Sequence, residues 1–237
     1  MQYGGETSRV ERTIRHLASG AGIEPQSVQS FVTPTGIFIS MTTPTGTTTK
    51  LQRIVGPASL NLAKVSAIND LSRRFERNAC TLSEALHELD RIEQAPLLYG
   101  YWVRVIAAFL SSGSFTLFFG GTGWDFLFGG IAGLLAEIVL EWLIRYVPSL
   151  LAVLMAALVA SFIGAGISGF LHVPMQGSII IGSVIPLLPG MALTNSIRDL
   201  LAGDLLSGVA RGAEAFLVTG SIAVAVALAL DLSIYFH

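Results

Sequence analysis

Apolar residues along this chain follow two rhythms, and the change falls near residue 100. Before it, Val10, Ile14 and Leu17 recur at helical spacing between Glu6 and Gly20, and Gly20 and Gly22 can end that helix. The following stretch, SVQSFVTPTGIFISMTTPTGTTTKLQRIV, is rich in Val, Ile, Thr and Phe, which suit strands. Its tetrapeptide TPTG recurs at Thr33–Gly36 and Thr43–Gly46, each time offering Pro to set a turn and Gly to take a positive φ. The pattern predicts three short strands near 27–32, 37–42 and 47–54, joined as a meander. A phosphate-cradling loop is a second reading of those glycines, but no Lys-Ser/Thr follows as a Walker motif requires.

Pro57 to Arg77 then reads as a helix with Leu60, Ala63, Ala67, Leu71 and Phe75 on one face. Ser83 to Ile92 reads as another, packed through Leu82, Leu86 and Leu89. It opens on Thr81-Leu82-Ser83-Glu84, the signature of a capping box. Pro96 ends this region, so residues 1–95 are expected to form a small α+β domain.

From Tyr101 the apolar runs lengthen. They cover about 102–120, 124–143, 150–171, 177–194 and 210–236, each long enough to cross roughly 30 Å of hydrocarbon. The predicted architecture is an α-helical integral membrane protein: five transmembrane helices in residues 96–237, after the N-terminal α+β domain. An odd number of crossings puts the chain ends on opposite sides.

Charge sharpens that division. Only 13% of the residues are charged, against about 25% in soluble domains. Ten of the 14 Lys and Arg precede residue 100; Arg104, Arg145, Arg198 and Arg211 follow. With the N-terminal domain in the cytosol, IRYVP and the segment after the fourth run are inner connections and carry the basic residues. GGTGWD and HVPMQG are outer and carry none, as the positive-inside rule requires. His172 at an outer turn reads as an interfacial residue, with proton sensing as the rival reading. The net charge of −2 excludes an electrostatic nucleic-acid binder. The single cysteine, Cys80, excludes an internal disulfide and a thiolate metal centre. The N-terminus lacks the apolar core of a signal peptide, so no cleaved leader is expected. His16, His87 and Cys80 show no nucleophile–base spacing and read as surface or core-edge residues.

The candidate chemistry lies in PLLPGMALTNSIRDLLAGDLLSGVARGAEAF. Pro186, Pro189 and Gly190 interrupt the fourth run, predicting a kink or break. Unwound backbone at membrane depth is tolerated where it is buried or lines a cavity. Ser196 with Asp199 three residues on reads as the cap of a new helix. If the chain from Asp204 is helical, Asp204, Ser207, Arg211 and Glu214 share a face, and Arg211 can pair with either acid. This face reads either as the wall of a watery vestibule or as a solvated loop.

In the second run, Glu141 and Arg145 are one turn apart and can pair. Glu137 lies eight residues before Arg145, about 12 Å along a helix, where an ionisable group is costly and usually functional. It is a candidate for proton uptake. Ser111, Ser112, Ser114 and Thr116 of the first run either line the same path or bond back to their own helix. The pairs Gly129/Gly133 and Gly208/Gly212 are GxxxG motifs, read as bundle packing or as a docking face for a second subunit.

These residues carry a family likeness. YGGETSRVERTIRHLASGAGI, VTPTGIFIS and LPGMALTNSIRDLLAGDLLSGVARGAEA resemble the threonine/serine exporter family, most closely its short, split form. Pro189-Gly190, Asn195, Arg198-Asp199, Gly203-Asp204, Ser207-Gly208, Arg211 and Glu214 stand at the family's places. The resemblance implies a secondary exporter of threonine and serine in the bacterial plasma membrane. It also implies a second small membrane subunit as partner, a second copy of the chain being a further option, and no cofactor. Some split relatives are linked to dicarboxylates such as succinate, and the N-terminal domain of the family has been compared with hydrolases. Taken together, the residues expected to handle solute or ion are Glu137, Asn195, Arg198, Asp199, Asp204, Ser207, Arg211 and Glu214. Arg198 or Arg211 is expected to meet a substrate carboxylate through paired N–H donors.

Overall fold

The computed structural model describes residues 3–44, 46–54, 61–96, 98–171 and 176–234. The expected helix start at Pro57, the side chain of His172 and the end of the last run at Phe236 lie outside them. The chain divides into two compact units. One comprises the chain up to Leu98 together with Met191–Ala213; the other comprises Tyr99–Gly190 and the chain from Glu214 on. Residues 191–213, drawn from the sequence as membrane span and connection, thus fold with the N-terminal segment.

In the first unit, α1 (Thr7–Gly20) is followed by β1 (Val28–Thr33), β2 (Gly36–Thr43) and β3 (Gly46–Arg53). The strands form an antiparallel meander, β1-β2-β3, in which Phe31 pairs with Phe38 and Phe38 with Leu51. The first turn is closed by the Thr33 side chain rather than by a positive φ at its glycine: the Gly36 N–H donates to Thr33 Oγ1, and that hydroxyl donates to the Gly36 carbonyl, each at 3.0 Å. Helices α2 (Leu62–Glu76) and α3 (Leu82–Gln94) follow. Asn61 caps α2, accepting from the Lys64 N–H, and the Thr81/Glu84 capping box opens α3. Leu71, Phe75 and Ala85 form the core between them, with Cys80 and Ile92 at its edge.

The packing of α3 corrects one expectation. Leu82, Leu86 and Leu89 are exposed, and Ala85 and Ile92 make the contact. Two faces of that amphipathic helix were available, and the small side chain at Ala85 allows the closer approach. Gly20 is a second point of close packing. A Cβ there would stand 2.8 Å from the Phe75 carbonyl carbon, so only glycine lets α1 end against α2.

The second unit holds α4 (Tyr101–Phe118), α5 (Gly123–Leu143), α6 (Ser149–Leu171), α7 (Gln176–Val184) and most of α9 (Leu205–Ile234). Among the described residues, four helices are long and apolar enough to cross a membrane, and a fifth span exists if α7 and α8 (Gly190–Leu201) are one bent crossing. Pro186 lies in a short 3-10 turn, Ile185–Leu187, and Pro189 precedes α8; the bend between the two helical arms is 58°. The break predicted from the prolines is therefore present.

Small residues dominate this unit's core: Ala136, Ala156, Ala157, Ala160 and Ala225 pack with Val184 and Ile222. Polar side chains of α4 fit into glycine notches. Ser112 sits against Gly133, and Thr116 against both Gly129 of α5 and Gly182 of α7. The Gly129/Gly133 motif is thus used for packing inside the bundle. Thr116 also donates to the Ser112 carbonyl at 2.9 Å, bonding back to its own helix.

A Cβ at Gly182 would lie 2.5 Å from the Thr116 amide nitrogen, which is backbone and cannot swing away. Gly182→Ala is expected to lower stability by about 1–3 kcal/mol, the usual cost of overpacking. Gly220→Ala, with nothing within 4 Å, should be close to neutral. Thermal unfolding of the detergent-solubilised protein checks both.

Candidate functional site

Within the first unit, four of the residues singled out from the sequence converge on residues 4–7, and a fifth, Ser207, meets β1. The reason begins with α8, whose amphipathicity is inverted. Asn195, Ser196 and Asp199 are buried, while Leu193, Ile197 and Leu201 are exposed. The first turn of α9 repeats the inversion: Ser207 is buried, and Leu205, Leu206 and Val209 are exposed. A stripe at positions i, i+1 and i+4 forms one helix face, so the polar groups share a side.

The elbow between α8 and α9 fixes that stripe. Gly203, at φ 88°, takes the left-handed conformation, and the Asp204 N–H donates to the Asp199 carbonyl at 2.9 Å. This is a Schellman closure. Beyond it, Gly208 packs on Leu200 and Gly212 on Ser196, so the second GxxxG motif also serves internal packing. Ser196 does not cap a new helix as expected. The helix already begins at Gly190, and the Ser196 hydroxyl donates to the Gly208 carbonyl at 2.7 Å. Proline and glycine set the start upstream, leaving the serine free to tie the two helices.

The buried stripe grips residues 4–7. Asn195 Nδ2 donates to the Gly4 carbonyl at 3.2 Å, and Arg211 Nη2 donates to the Gly5 carbonyl at 2.8 Å. Arg198 pairs with Glu6, which also holds Arg9 at 3.0 Å. Asp199 accepts from Thr7 twice: the backbone N–H at 3.1 Å to Oδ1 and the hydroxyl at 3.2 Å to Oδ2. Ser207 donates to the Val32 carbonyl of β1 at 3.3 Å.

Arg211 meets an acid that helical spacing does not offer it: its Nε lies 3.5 Å from Asp199 Oδ2. Asp199 is only 1% exposed, and a carboxylate so buried needs a cation and N–H donors close by. Here Arg211, one side of Thr7 and the first amide of α1 supply them. Asp199 thereby caps α1 from a distance of 192 residues in sequence, where Glu6 offers no side-chain cap.

Two further acids flank this cluster. Burial pushes the Asp204 carboxyl above the usual carboxylate range, and neighbouring Asp199 adds to the shift. Burial also raises Glu11, with Asp204 adding and Arg15 opposing.

The other two candidates belong to the helical unit. Glu214 is exposed on α9. Glu137 is partly buried on α5, with Glu141 and Arg104 as its charged neighbours. Glu141 pairs with Arg104 of α4, at 2.5 Å between Nη1 and Oε1, rather than with Arg145, which is exposed. An interhelical partner of opposite charge outcompetes the one a turn away because the helix end leaves Arg145 in contact with solvent.

Sequence reasoning missed Gly4, Gly5 and Thr7 as partners of this cluster. A signal existed: GGET and NSIRD are both dense in polar and small residues, and both belong to the family-like blocks. Among the described residues no group of three His, Cys, Asp or Glu is arranged to hold a metal. A groove of about 530 Å³ carries Cys80 on its wall but no histidine. His16 is held elsewhere, 2.7 Å from Glu76.

The apolar helices define the class, a polytopic membrane protein. The chain belongs to the threonine/serine exporter (ThrE) family, whose model matches residues 1–233. It is similar to a protein of Corynebacterium glutamicum named "Threonine/serine exporter", 25% identical over 100% of this chain and 50% of that protein. It is also similar to a Klebsiella aerogenes protein named "Probable succinate transporter subunit YjjP", 25% identical over 98% of this chain and 89% of the relative. A third relative, "Pheromone-regulated membrane protein 10" of Kluyveromyces lactis, is 26% identical over 89% of this chain and 22% of that protein. The chain thus spans half the length of the Corynebacterium relative and most of the Klebsiella one. No solved structure matches.

Two predictions follow from the cluster. Asp199→Ala removes a carboxylate partner of Arg211 and frees Thr7, so the contact between the N-terminal segment and the α8–α9 elbow should weaken by about 3–5 kcal/mol. Faster hydrogen exchange at residues 4–8 reports it. The second concerns pH. Asp204 and Glu11 have raised folded-state pKa values, so between the ordinary carboxylate range and the raised values the folded unit binds more protons than the unfolded chain. Stability of this unit therefore falls as pH rises through that window. Asp204→Asn should stabilise the unit at neutral pH and flatten the dependence, measured as protease resistance of the N-terminal segment against pH.

Proposed function

We propose that the chain is a subunit of a secondary transporter that exports small carboxylate-bearing metabolites, threonine and serine foremost, across a bacterial plasma membrane. The observation carrying this reading is the buried pair Asn195 and Asp199 on the inverted helix that follows a proline break, joined by the part-buried Arg211 of α9. Discontinuous helices of this kind present binding groups in many transporters. Arg211 and Asn195 supply donors for a carboxylate, Asp199 an acceptor for an ammonium, and Arg198, Asp204, Ser207 and Glu214 complete the path. Glu137, costly at its depth in α5, is the group that takes up a proton as export is driven by the proton gradient.

In this reading the N-terminal unit is cytoplasmic and the C-terminus external, which accounts for the basic residues at the inner connections. A second small membrane subunit completes the exporter; the Klebsiella relative is itself named a subunit. In this reading the chain is a transporter subunit and not an enzyme, in keeping with its family. The same relative's name motivates a second reading, a dicarboxylate such as succinate as cargo.

Counterflow in liposomes containing this chain and its partner subunit, with labelled threonine, serine and succinate in turn, tests both readings. Arg211→Ala is expected to reduce threonine counterflow at least tenfold, the scale of one lost charge-assisted contact. Glu137→Gln should remove its dependence on a pH gradient. Undiminished counterflow in the Arg211 variant would refute the assigned path.

A further inference from the structure

Thr7 presents to Asp199 the same two donors that a free β-hydroxy amino acid would present. Its backbone N–H meets Oδ1 at 3.1 Å and its hydroxyl meets Oδ2 at 3.2 Å. A free threonine or serine carries an ammonium and a hydroxyl on adjacent carbons, so both can reach one carboxylate in the same bidentate way. The neighbouring donors, Arg211 Nη2 and Asn195 Nδ2, are spent on the Gly5 and Gly4 carbonyls. Those are two acceptor oxygens that a free carboxylate can replace, with full charge in place of a dipole.

We infer that Asn195, Asp199 and Arg211 form a binding site for a zwitterionic β-hydroxy-α-amino acid, and that residues 4–7 of the same chain occupy it as a built-in substitute. The inference rests on the transport reading above and adds both the site's selectivity and its regulation. Residues 4–7 are suited to yielding. Gly4, at φ 87°, and Gly5 carry no side chain into the cluster, so the segment is held almost wholly by backbone groups, the Thr7 hydroxyl and the Glu6–Arg198 pair on the exposed side.

The competition has a definite sense. A tethered segment acts at an effective concentration on the order of millimolar. A free ligand displaces it only when its ionic groups bind better than the amide and carbonyls they replace, and charged donors and acceptors are about twice as strong as neutral ones. The site therefore fills as the amino acid accumulates and stays closed when it is scarce. Selectivity follows from the same charges. Succinate would bring a second carboxylate to Asp199, which is buried and lacks a spare cation to share. Valine supplies the ammonium but leaves one Asp199 oxygen without the hydroxyl donor.

The decisive variant is Thr7→Pro in the full chain. Thr7 is the first residue of α1, a position where proline is favoured. Glu6, at φ −69° and ψ 150°, already has the extended conformation that a following proline demands. The substitution removes both donors to Asp199 without opposing the helix. Equilibrium dialysis of the purified full-length protein with labelled L-threonine should show binding about tenfold tighter in Thr7→Pro than in the parent chain. Thr7→Ser, which keeps both donors, should match the parent. L-serine should displace the label; succinate and L-valine should not. In the parent chain, saturating threonine should raise hydrogen exchange at the Thr7 amide.

Unchanged affinity in Thr7→Pro with unchanged exchange at Thr7 would overturn the inference, as would displacement of threonine by succinate. Asp199→Asn separates the two levels. If it silences threonine efflux while Thr7→Pro gains nothing, the path stands and the occupancy idea falls. If it binds and exports threonine like the parent, both fall together.

Discussion

The first unit is organised around a carboxylate that has almost no access to water. Asp199 is 1% exposed, and burying an ionised acid costs several kcal/mol unless donors and a cation replace its hydration. Each of its partners is drawn from a different part of the chain. Arg211 comes from the start of α9 and both Thr7 donors from the start of α1, while the Schellman turn that positions α9 begins at the carbonyl of Asp199 itself. The need to satisfy one acid thus explains why residues 191–213 fold with the N-terminal segment although both ends of this stretch read from the sequence as membrane span.

That need also accounts for the inverted faces of α8 and early α9. A helix in water hides its leucines; this one hides Asn195, Ser196 and Asp199 and turns Leu193, Ile197 and Leu201 outward. The inversion is stable only where the outward face meets an apolar medium and the inward face finds complete hydrogen bonding. The glycines at 208 and 212 bring the two helices close enough for Ser196 to reach a backbone carbonyl, so polar satisfaction and close packing are achieved at the same contact.

Much of the architecture was legible in the sequence, because it depends on short-range rules. The Val, Ile, Thr and Phe content and the TPTG turns marked the three-stranded meander, the Thr81–Glu84 spacing marked the start of α3, and Pro186 and Pro189 marked the break between α7 and α8. The candidate residues were legible as a set but their partners were not. Spacing suggested that Ser196 caps a helix and that Glu141 meets Arg145. In the structure their partners are Gly208 and Arg104, and Arg211 meets Asp199, which helical spacing does not offer it. Helical spacing ranks neighbours within a few residues, whereas a buried charge selects the best donor anywhere in the fold. The 192-residue separation between Thr7 and Asp199 lies beyond any local pattern.

The two units differ in what holds them, and the difference bears on how each can respond to a solute. The helical unit is locked by shape: Thr116 fills notches at Gly129 and Gly182, and alanines line the core. Such contacts depend on close packing, and no small molecule can substitute for them without opening a cavity. The grip on residues 4–7 is made of hydrogen bonds to an acid, an arginine and an amide. Each of those can be exchanged one for one with groups of another polar molecule at little net cost, because the alternative partner restores the same bonds. In the proposed reading, a change triggered by solute binding is therefore cheapest at the α8–α9 elbow, where backbone groups of residues 4–7 hold the polar partners.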